Sequence, residues 1–309
     1  VSVAPELARF ADALAERCAA EGRIPAIVGP TGTGKTALAC ALAERFGGEV
    51  VSVDSVQVYR GVNLGSGKPT DDELARAPHH LVSAIELDAP MDAGRFVAMA
   101  DRAIASIRDR GKIPILCGGT FLWMKALAQG LAEMPAGSDE LRAEHARIAE
   151  LEGRAALHAR LREVDPASAA KLAPNDLVRV SRALEVHVLT GKTLSELHAE
   201  HGFRADRYSV HYAAIRVDEP RYTELLGARV RAWLAAGWID EVRALREQGH
   251  GAARALGAVG FAEVVAHLDG RLPERDLADA IVRSTRVFAR RQRTWLKSAT
   301  VAWLSSAGA

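Results

Sequence analysis

With 309 residues, 49% of them hydrophobic, the chain can bury one large core or two smaller ones, and its 26% charged residues balance to +1. That balance excludes both a strongly basic nucleic-acid coat and a disordered polyelectrolyte, so contact with nucleic acid must come from local basic patches. No apolar run approaches the roughly 20 residues that span a bilayer. The opening stretch VSVAPELARFADALAERCAAEGRIP carries acids and arginines where a signal segment would have an apolar core, so a cytoplasmic protein without membrane contact is expected.

The opening stretch reads as an amphipathic helix. Ile24 to Gly29 is a short apolar run closed by glycine, a buried strand. Lys35 to Phe46 is a helix stopped by Gly47-Gly48. Glu49 to Val53 is β-branched and reads as a second strand, and Asp54 to Gly67 as loop. A short helix over Asp71 to Ala77, a strand over His80 to Glu86, a helix over Asp92 to Arg110 and the strand KIPILCGGT follow. This alternation predicts a parallel α/β sheet with crossover helices. From Phe121 to about Arg204 the pattern is helical only, with Ser138, Asp165, Asn175 and Thr193 as N-caps. Tyr208 to Val217 returns to strand. Helices follow over Glu219 to Gln248, Gly260 to Leu268 and Pro273 to Lys297, and TVAWL closes the sheet. The expected organisation is an α/β core of residues 1–120 and 205–309 around an all-helical insertion of residues 121–204. The odd cysteine count, Cys18, Cys40 and Cys117, without C-x-x-C spacing, reads as buried reduced thiols.

The chemistry begins at GPTGTGKT, residues Gly29, Pro30, Thr31, Gly32, Thr33, Gly34, Lys35 and Thr36, which satisfies G-x-x-x-x-G-K-[ST] between a strand and a helix. Glycines let the backbone turn its N–H groups toward phosphate oxygens, and the helix adds its positive end. Lys35 supplies a point charge and Thr36 a hydroxyl for Mg²⁺. The motif specifies binding of a di- or triphosphate, not a reaction. Asp54 follows the second strand at the edge where open parallel sheets bind ligands. There it can bind Mg²⁺, accept a proton, or merely cap a loop. Ser55, Gln57 and Tyr59 add hydrogen-bonding groups, and Thr120 offers a hydroxyl after the strand ending in Gly118-Gly119, where it can equally cap the next helix. A hydrolysing P-loop ATPase usually ends the matching strand in an acid; this one ends ILCGG. From Ala280 onward there is no acid, while Arg286 and Arg290 belong to a basic helix; Arg179 and Arg182 form a face in the insertion. Trp233, Trp238 and Trp295, at helical positions, read as core.

Taken together, GPTGTGKT, SVDSVQVYRG, GKP, PHHL, PILCGGTFLW, PNDLVRVSRALEV, TGKTLSEL, GWIDEVRAL, VGF and TRVFARRQRTW resemble the tRNA dimethylallyltransferases, in order and spacing, over nearly the whole chain from Ile24 to Leu304. The resemblance implies a P-loop-type fold, Mg²⁺, and transfer of the dimethylallyl group of dimethylallyl diphosphate to N6 of adenine 37 in the anticodon stem-loop of tRNA. Asp54 matches the family's general base, Thr120 a threonine at the diphosphate, and Arg229 a pyrophosphate-binding arginine. Asp54, Ser55, Val56 and Gln57, with Val178, Arg179, Val180, Ser181 and Arg182, match stretches that contact tRNA, as does Gly257 to Ala262. Gln57 is expected to read the adenine edge. The chain departs from the family pattern at NLGSGKP, at GFAE, where Phe261 replaces a tyrosine and Ala262 a basic residue, and at Leu225, which replaces an arginine. A monomer is expected. Transfer to a free adenine nucleotide, a small-metabolite kinase and a non-catalytic nucleic-acid-binding protein remain as alternatives, told apart by acceptor, ATP turnover and the effect of Asp54→Ala.

Overall fold

The computed structural model describes residues 5–132, 134–201 and 207–305. In chain order the elements are α1 (Pro5–Glu21), β1 (Ile24–Val28), α2 (Lys35–Phe46), β2 (Gly48–Val53), α3 (Asp71–Arg76), β3 (His79–His80), α4 (Ala93–Asp109), β4 (Ile113–Gly118) and α5 (Phe121–Gln129). The helices α6 (Asp139–Leu151), α7 (Arg154–Val164), α8 (Pro166–Ala169), α9 (Leu177–Thr190) and α10 (Leu194–His201) come next. The chain closes with β5 (Val210–Arg216), α11 (Glu219–Ala235), α12 (Trp238–Glu247), α13 (Phe261–Leu268), α14 (Glu274–Leu296) and β6 (Val301–Ser305).

The six strands form one sheet in the order β3-β2-β4-β1-β5-β6, every pair parallel. Alternate residues feed two apolar layers, as a strand period of two requires. Ile27, Val50, Ile115 and Ile215 pack with Leu7 and Leu14 of α1 and Leu38 and Leu42 of α2. Ala26, Val51, Leu116 and Ala214 pack instead with Phe96, Trp123, Trp238 and Phe261. Both layers are fed by strands buried along nearly their whole length, the pattern of a sheet covered by helices.

The expected strand over His80 to Glu86 is reduced to the two residues of β3. Leu81 and Ser83 take positive φ (62° and 49°), which breaks the extended run, and Ile85 regains only an isolated bridge to Tyr59. Two compact units emerge, Val1–Ala128 with Tyr208–Ala309, and Gln129–Arg207. The first boundary falls at 128/129 rather than 120/121 because α5 belongs to the sheet's core: Trp123 stacks on Phe96 at 4.6 Å and Phe121 on Trp295 at 4.2 Å. The boundary expected at 204/205 lies outside the described residues.

The helical unit has its own core of Ile148, Leu157, Leu161, Val180 and Ala183. Ser138 caps α6 and Asp165 caps α8, while Thr193 and Glu196 bond reciprocally at the start of α10. Asp176, not Asn175, caps α9, by accepting from the Arg179 N–H at 3.3 Å. All three cysteines are free and buried. Among the described residues no helix is long and apolar enough to cross a membrane.

Candidate active site

Register brings the site together. Val28 and Val53 both stand level with Gly118, so β1, β2 and β4 end on one line, and Gly29, Asp54 and Gly119 leave the sheet side by side. Gly118 must be glycine: a Cβ there would meet the Val53 carbonyl oxygen at 2.1 Å.

The loop after β1 turns on Gly32 and Gly34, at φ 78° and 88°. Its backbone is braced from inside and outside. Thr33 Oγ1 and Lys35 Nζ both donate to the Pro30 carbonyl, at 2.9 and 2.7 Å, and Tyr222 of α11 donates its hydroxyl to the Thr31 carbonyl at 3.0 Å. No side chain caps the N-terminus of α2, which leaves its first N–H groups for an anion. Thr36 lies with Lys35 along a cavity of about 390 Å³ that Arg229 also lines. The Arg229 guanidinium has no carboxylate within ion-pair distance among the described residues. It stacks 4.4 Å from the Trp233 ring, and its Nη1 lies 3.8 Å from where a Gly32 Cβ would be. Burial lowers the pKa of both Lys35 and Arg229. Two half-buried cations without carboxylate partners are costly unless an anion joins them.

Asp54 is held by its own loop. Oδ1 accepts from the N–H groups of Val56 and Gln57, at 2.9 and 3.2 Å, while Oδ2 has no protein partner among the described residues. One oxygen fixes the side chain and the other is uncommitted. Thr120 does not cap α5. Its Oγ1 accepts from the Ser55 N–H at 3.1 Å and donates to Ser55 Oγ at 3.4 Å, so it ties the turn after β4 to the turn after β2. Asp54, Ser55, Val56, Thr120 and Arg229 share a second cavity, of about 330 Å³, whose remaining wall is largely apolar.

Gln57 is not free to read a base. Its Nε2 donates to the Gly67 carbonyl at 2.7 Å and its Oε1 accepts from Ser52 Oγ at 3.0 Å, so both ends of the amide hold the loop in place. Phe261, where the family pattern has tyrosine, is buried edge-on against Trp238 at 5.2 Å, an apolar setting for its ring. Within the helical unit, Val178 is 79% exposed and Arg179 is exposed and paired with Asp176. Val180 and Ser181 face inward, with Ser181 Oγ 2.9 Å from His145 Nδ1. Arg182 is a strut. It pairs with the fully buried Glu185 and donates to the Pro135 carbonyl at 2.7 Å. Arg290 is exposed, and Arg286 is half-buried with Nε unpartnered among the described residues.

Three further residues brace the site or its loops in ways the sequence does not announce. Glu241 of α12 accepts from the N–H groups of Asn63 and Leu64, at 3.0 and 3.1 Å. Lys68 donates to the Tyr59 carbonyl at 2.7 Å. Gln292 of α14 is buried beside Gly119 and lines the 330 Å³ cavity. All three lie in stretches that carry the resemblance, Lys68 in GKP, Glu241 in GWIDEVRAL and Gln292 in TRVFARRQRTW, but nothing in those stretches announces their partners.

A phosphate loop beside a carboxylate with one uncommitted oxygen, on the carboxyl edge of a parallel sheet, defines the class of P-loop proteins with an acid at the anion site. The IPP transferase family matches residues 57–299. A tRNA dimethylallyltransferase of Sorangium cellulosum (strain So ce56) is 57% identical over 286 residues, covering 93% of this chain and 91% of that one. One of Anaeromyxobacter dehalogenans (strain 2CP-C) is 50% identical over 290 residues, covering 92% and 95%. The full-length tRNA isopentenylpyrophosphate transferase of Bacillus halodurans superposes with a TM-score of 0.67 at 32% identity, over 92% of this chain and 89% of that one. A eukaryotic dimethylallyltransferase acting on tRNA gives 0.73 at 27%, over 92% and 73%. The chain belongs to the IPP transferase family, the tRNA dimethylallyltransferases, and is an enzyme of the prenyltransferase class.

Proposed function

We propose that the chain acts in the cytoplasm and transfers the dimethylallyl group of dimethylallyl diphosphate to N6 of adenine 37, beside the tRNA anticodon, with release of pyrophosphate. The observation that carries this reading is the free Oδ2 of Asp54 beside the phosphate loop. An exocyclic purine amine is a weak nucleophile, because its lone pair is delocalised. As N6 bonds to C1 of the allylic group and the C1–O bond breaks, Asp54 Oδ2 takes the N6 proton and pyrophosphate leaves with the bonding electrons. General-base help of this kind is worth about 10²–10⁴-fold. The loop N–H groups, Lys35 and Arg229 neutralise the charge that develops on the leaving group.

Magnesium fits this donor set. Among the described residues no group of three or more His, Cys, Asp or Glu can cage a metal, and Mg²⁺ commonly takes one or two protein oxygens with substrate phosphates and water. Thr36 Oγ1 would hold it, and the ion would add Lewis-acid stabilisation of the diphosphate. The apolar wall of the 330 Å³ cavity supports the reading further, since an allylic cation must be kept from water. The adenine must leave its stack to react. We assign the grip on the anticodon arm to the helical unit, Val178 and Arg179 offering its exposed contacts, and to Arg290 of α14.

The test combines purified protein, Mg²⁺, labelled dimethylallyl diphosphate and unmodified tRNA, with nucleoside mass as readout. N6-prenyl-adenosine in the tRNA, lost with Asp54→Ala, is expected. Label on AMP but not tRNA would replace the acceptor, and ATP turnover without prenyl transfer would overturn the reading. Asp54→Asn keeps the Oδ1 bonds, and is expected to lower the rate about 10²–10⁴-fold with donor binding intact.

A further inference from the structure

The apolar lining of the cavity at Asp54 and Thr120 includes Trp238, beside Trp233, Phe261 and Ile281. Trp238, the first residue of α12, is fully buried. Its six-membered ring is wedged between two glycines that line the same cavity. A Cβ on Gly65 would lie 1.9 Å from Cζ2, and one on Gly260 2.6 Å from Cη2. Both glycines hold positive φ, 74° and 89°, so neither segment tolerates a side chain that would displace the ring. Trp233 at 5.6 Å and Phe261 at 5.2 Å fix the remaining faces edge-on. The indole N–H is buried with no partner among the described residues. An unpaired buried donor is destabilising, and phenylalanine or leucine would avoid it. What tryptophan alone supplies here is bulk.

The position of that bulk matters. Arg229 stacks on Trp233, and Trp233 meets Trp238, so a cation and two indoles stand in series along the wall of one cavity. The volume of about 330 Å³ is near the lower limit of ligand pockets, and it must admit the reacting edge of a nucleobase as well as the prenyl group. We propose that Trp238 sets the length of prenyl chain the enzyme accepts, restricting the donor to five carbons. The inference rests on the prenyl transfer proposed above. The chemistry is the same for a ten-carbon allylic diphosphate: the N6–C1 bond forms, the C1–O bond breaks, pyrophosphate leaves and Asp54 takes the proton. Only the fit differs.

The experiment offers dimethylallyl diphosphate and geranyl diphosphate, separately and in competition, to the wild type and to Trp238→Phe, Trp238→Leu and Trp238→Ala, with unmodified tRNA and product mass as readout. The wild type is expected to transfer only the five-carbon group. In Trp238→Leu the ratio of kcat/KM for the ten-carbon to the five-carbon donor should rise by about tenfold or more, given that one methylene is worth about 10–200-fold in a fitted pocket. Trp238→Ala opens the largest hole and is the variant most prone to misfold; the Leu and Phe variants, checked by circular dichroism, carry the same comparison. A folded Leu variant that transfers the five-carbon group with the ratio unchanged overturns the proposal. So does a wild type that transfers both groups equally well, although prenyl transfer itself would then stand. A wild type that transfers neither group overturns both.

Discussion

Gln292 donates from Nε2 to the carbonyl oxygen of Gly119, 2.9 Å away, so the turn that ends β4 hangs from a helix 173 residues further along the chain. The fit is close, for a Cβ on Gly119 would come within 2.3 Å of that nitrogen. The next residue is Thr120, which orients Ser55. Gln292→Leu should therefore act twice. It leaves a buried carbonyl unpaired, a loss of about 1–3 kcal/mol, and it frees the turn that aligns the base loop, so kcat for prenyl transfer should fall while KM for the donor stays near its wild-type value. Urea unfolding and steady-state kinetics read the two effects separately; no change in either would remove the strut.

Arg229 offers a planar fork to the phosphate cleft, and Lys35 a point charge. Arg229→Lys keeps the charge and loses the fork. Charge-assisted hydrogen bonds are worth about 1.5–3 kcal/mol each, so pyrophosphate affinity should weaken about 10- to 100-fold. Calorimetric titration of pyrophosphate measures this, and wild-type affinity in the variant would move Arg229 out of the anion site.

Glu185 holds the helical unit together at low solvent exposure. It is 0% exposed, accepts from the Ser138 N–H at 2.6 Å and pairs with Arg142 at 3.2 Å and with Arg182. Burial alone would raise its pKa, but the bonds from Arg182 and Ser138 and the charge of both arginines outweigh that and leave it below the ordinary value. The stability this contributes is present above the unfolded glutamate pKa, about 4.3, and is lost as pH falls through the lower folded value. Arg182→Ala leaves Glu185 with Arg142 and the Ser138 N–H, so it should cost the charge-assisted hydrogen bond alone, about 1.5–3 kcal/mol, and it should flatten the acid limb of the stability curve. Thermal unfolding from pH 7 down to pH 3 decides it.

Lys68 runs the other way. Burial pushes its pKa down to about 8, while an unfolded lysine titrates near about 10.4. Between those values the unfolded chain holds the proton more tightly, so the penalty of the buried charge is full below pH 8 and is relieved as pH rises through the window. The stability of the wild type relative to Lys68→Met should rise from pH 8 to pH 10. A flat difference would mean that the ammonium is hydrated.

What could be read in the residues and what could not divides along sequence distance. Gly29 to Thr36 and Asp54 are legible because their geometry is local: a strand, a glycine turn, a helix start, and a carboxylate at a strand end. The pairing of Arg179 with Asp176 and of Arg182 with Glu185 was also there to be seen, as oppositely charged residues three apart on one helix. Read as a free basic face, those arginines are misjudged. Gln57 is misread for another reason, since Ser52 and Gly67 meet its amide only once the loop has folded. Glu241 reaches across 178 residues to Asn63, and Trp238 owes its place to two glycines on separate loops. No periodicity announces such partners, because each is an ordinary helical residue until α12 and α14 are laid on the sheet.

The level ends of β1, β2 and β4 have a consequence for how the chain tolerates change. The phosphate loop and Asp54 leave neighbouring ladders at heights set by Val28, Gly118 and Val53, so their separation is a property of hydrogen-bonded strands and not of the connections between them. Lengthening the exposed turn at Arg110-Gly111, or the stretch before α3, leaves that separation untouched. A one-residue slip of β4 against its neighbours would lift Gly118 away from Val53 and drive the Cβ of Cys117 into the position that only glycine fits. The spacing of the chemistry is thus insulated from insertion and exposed to register.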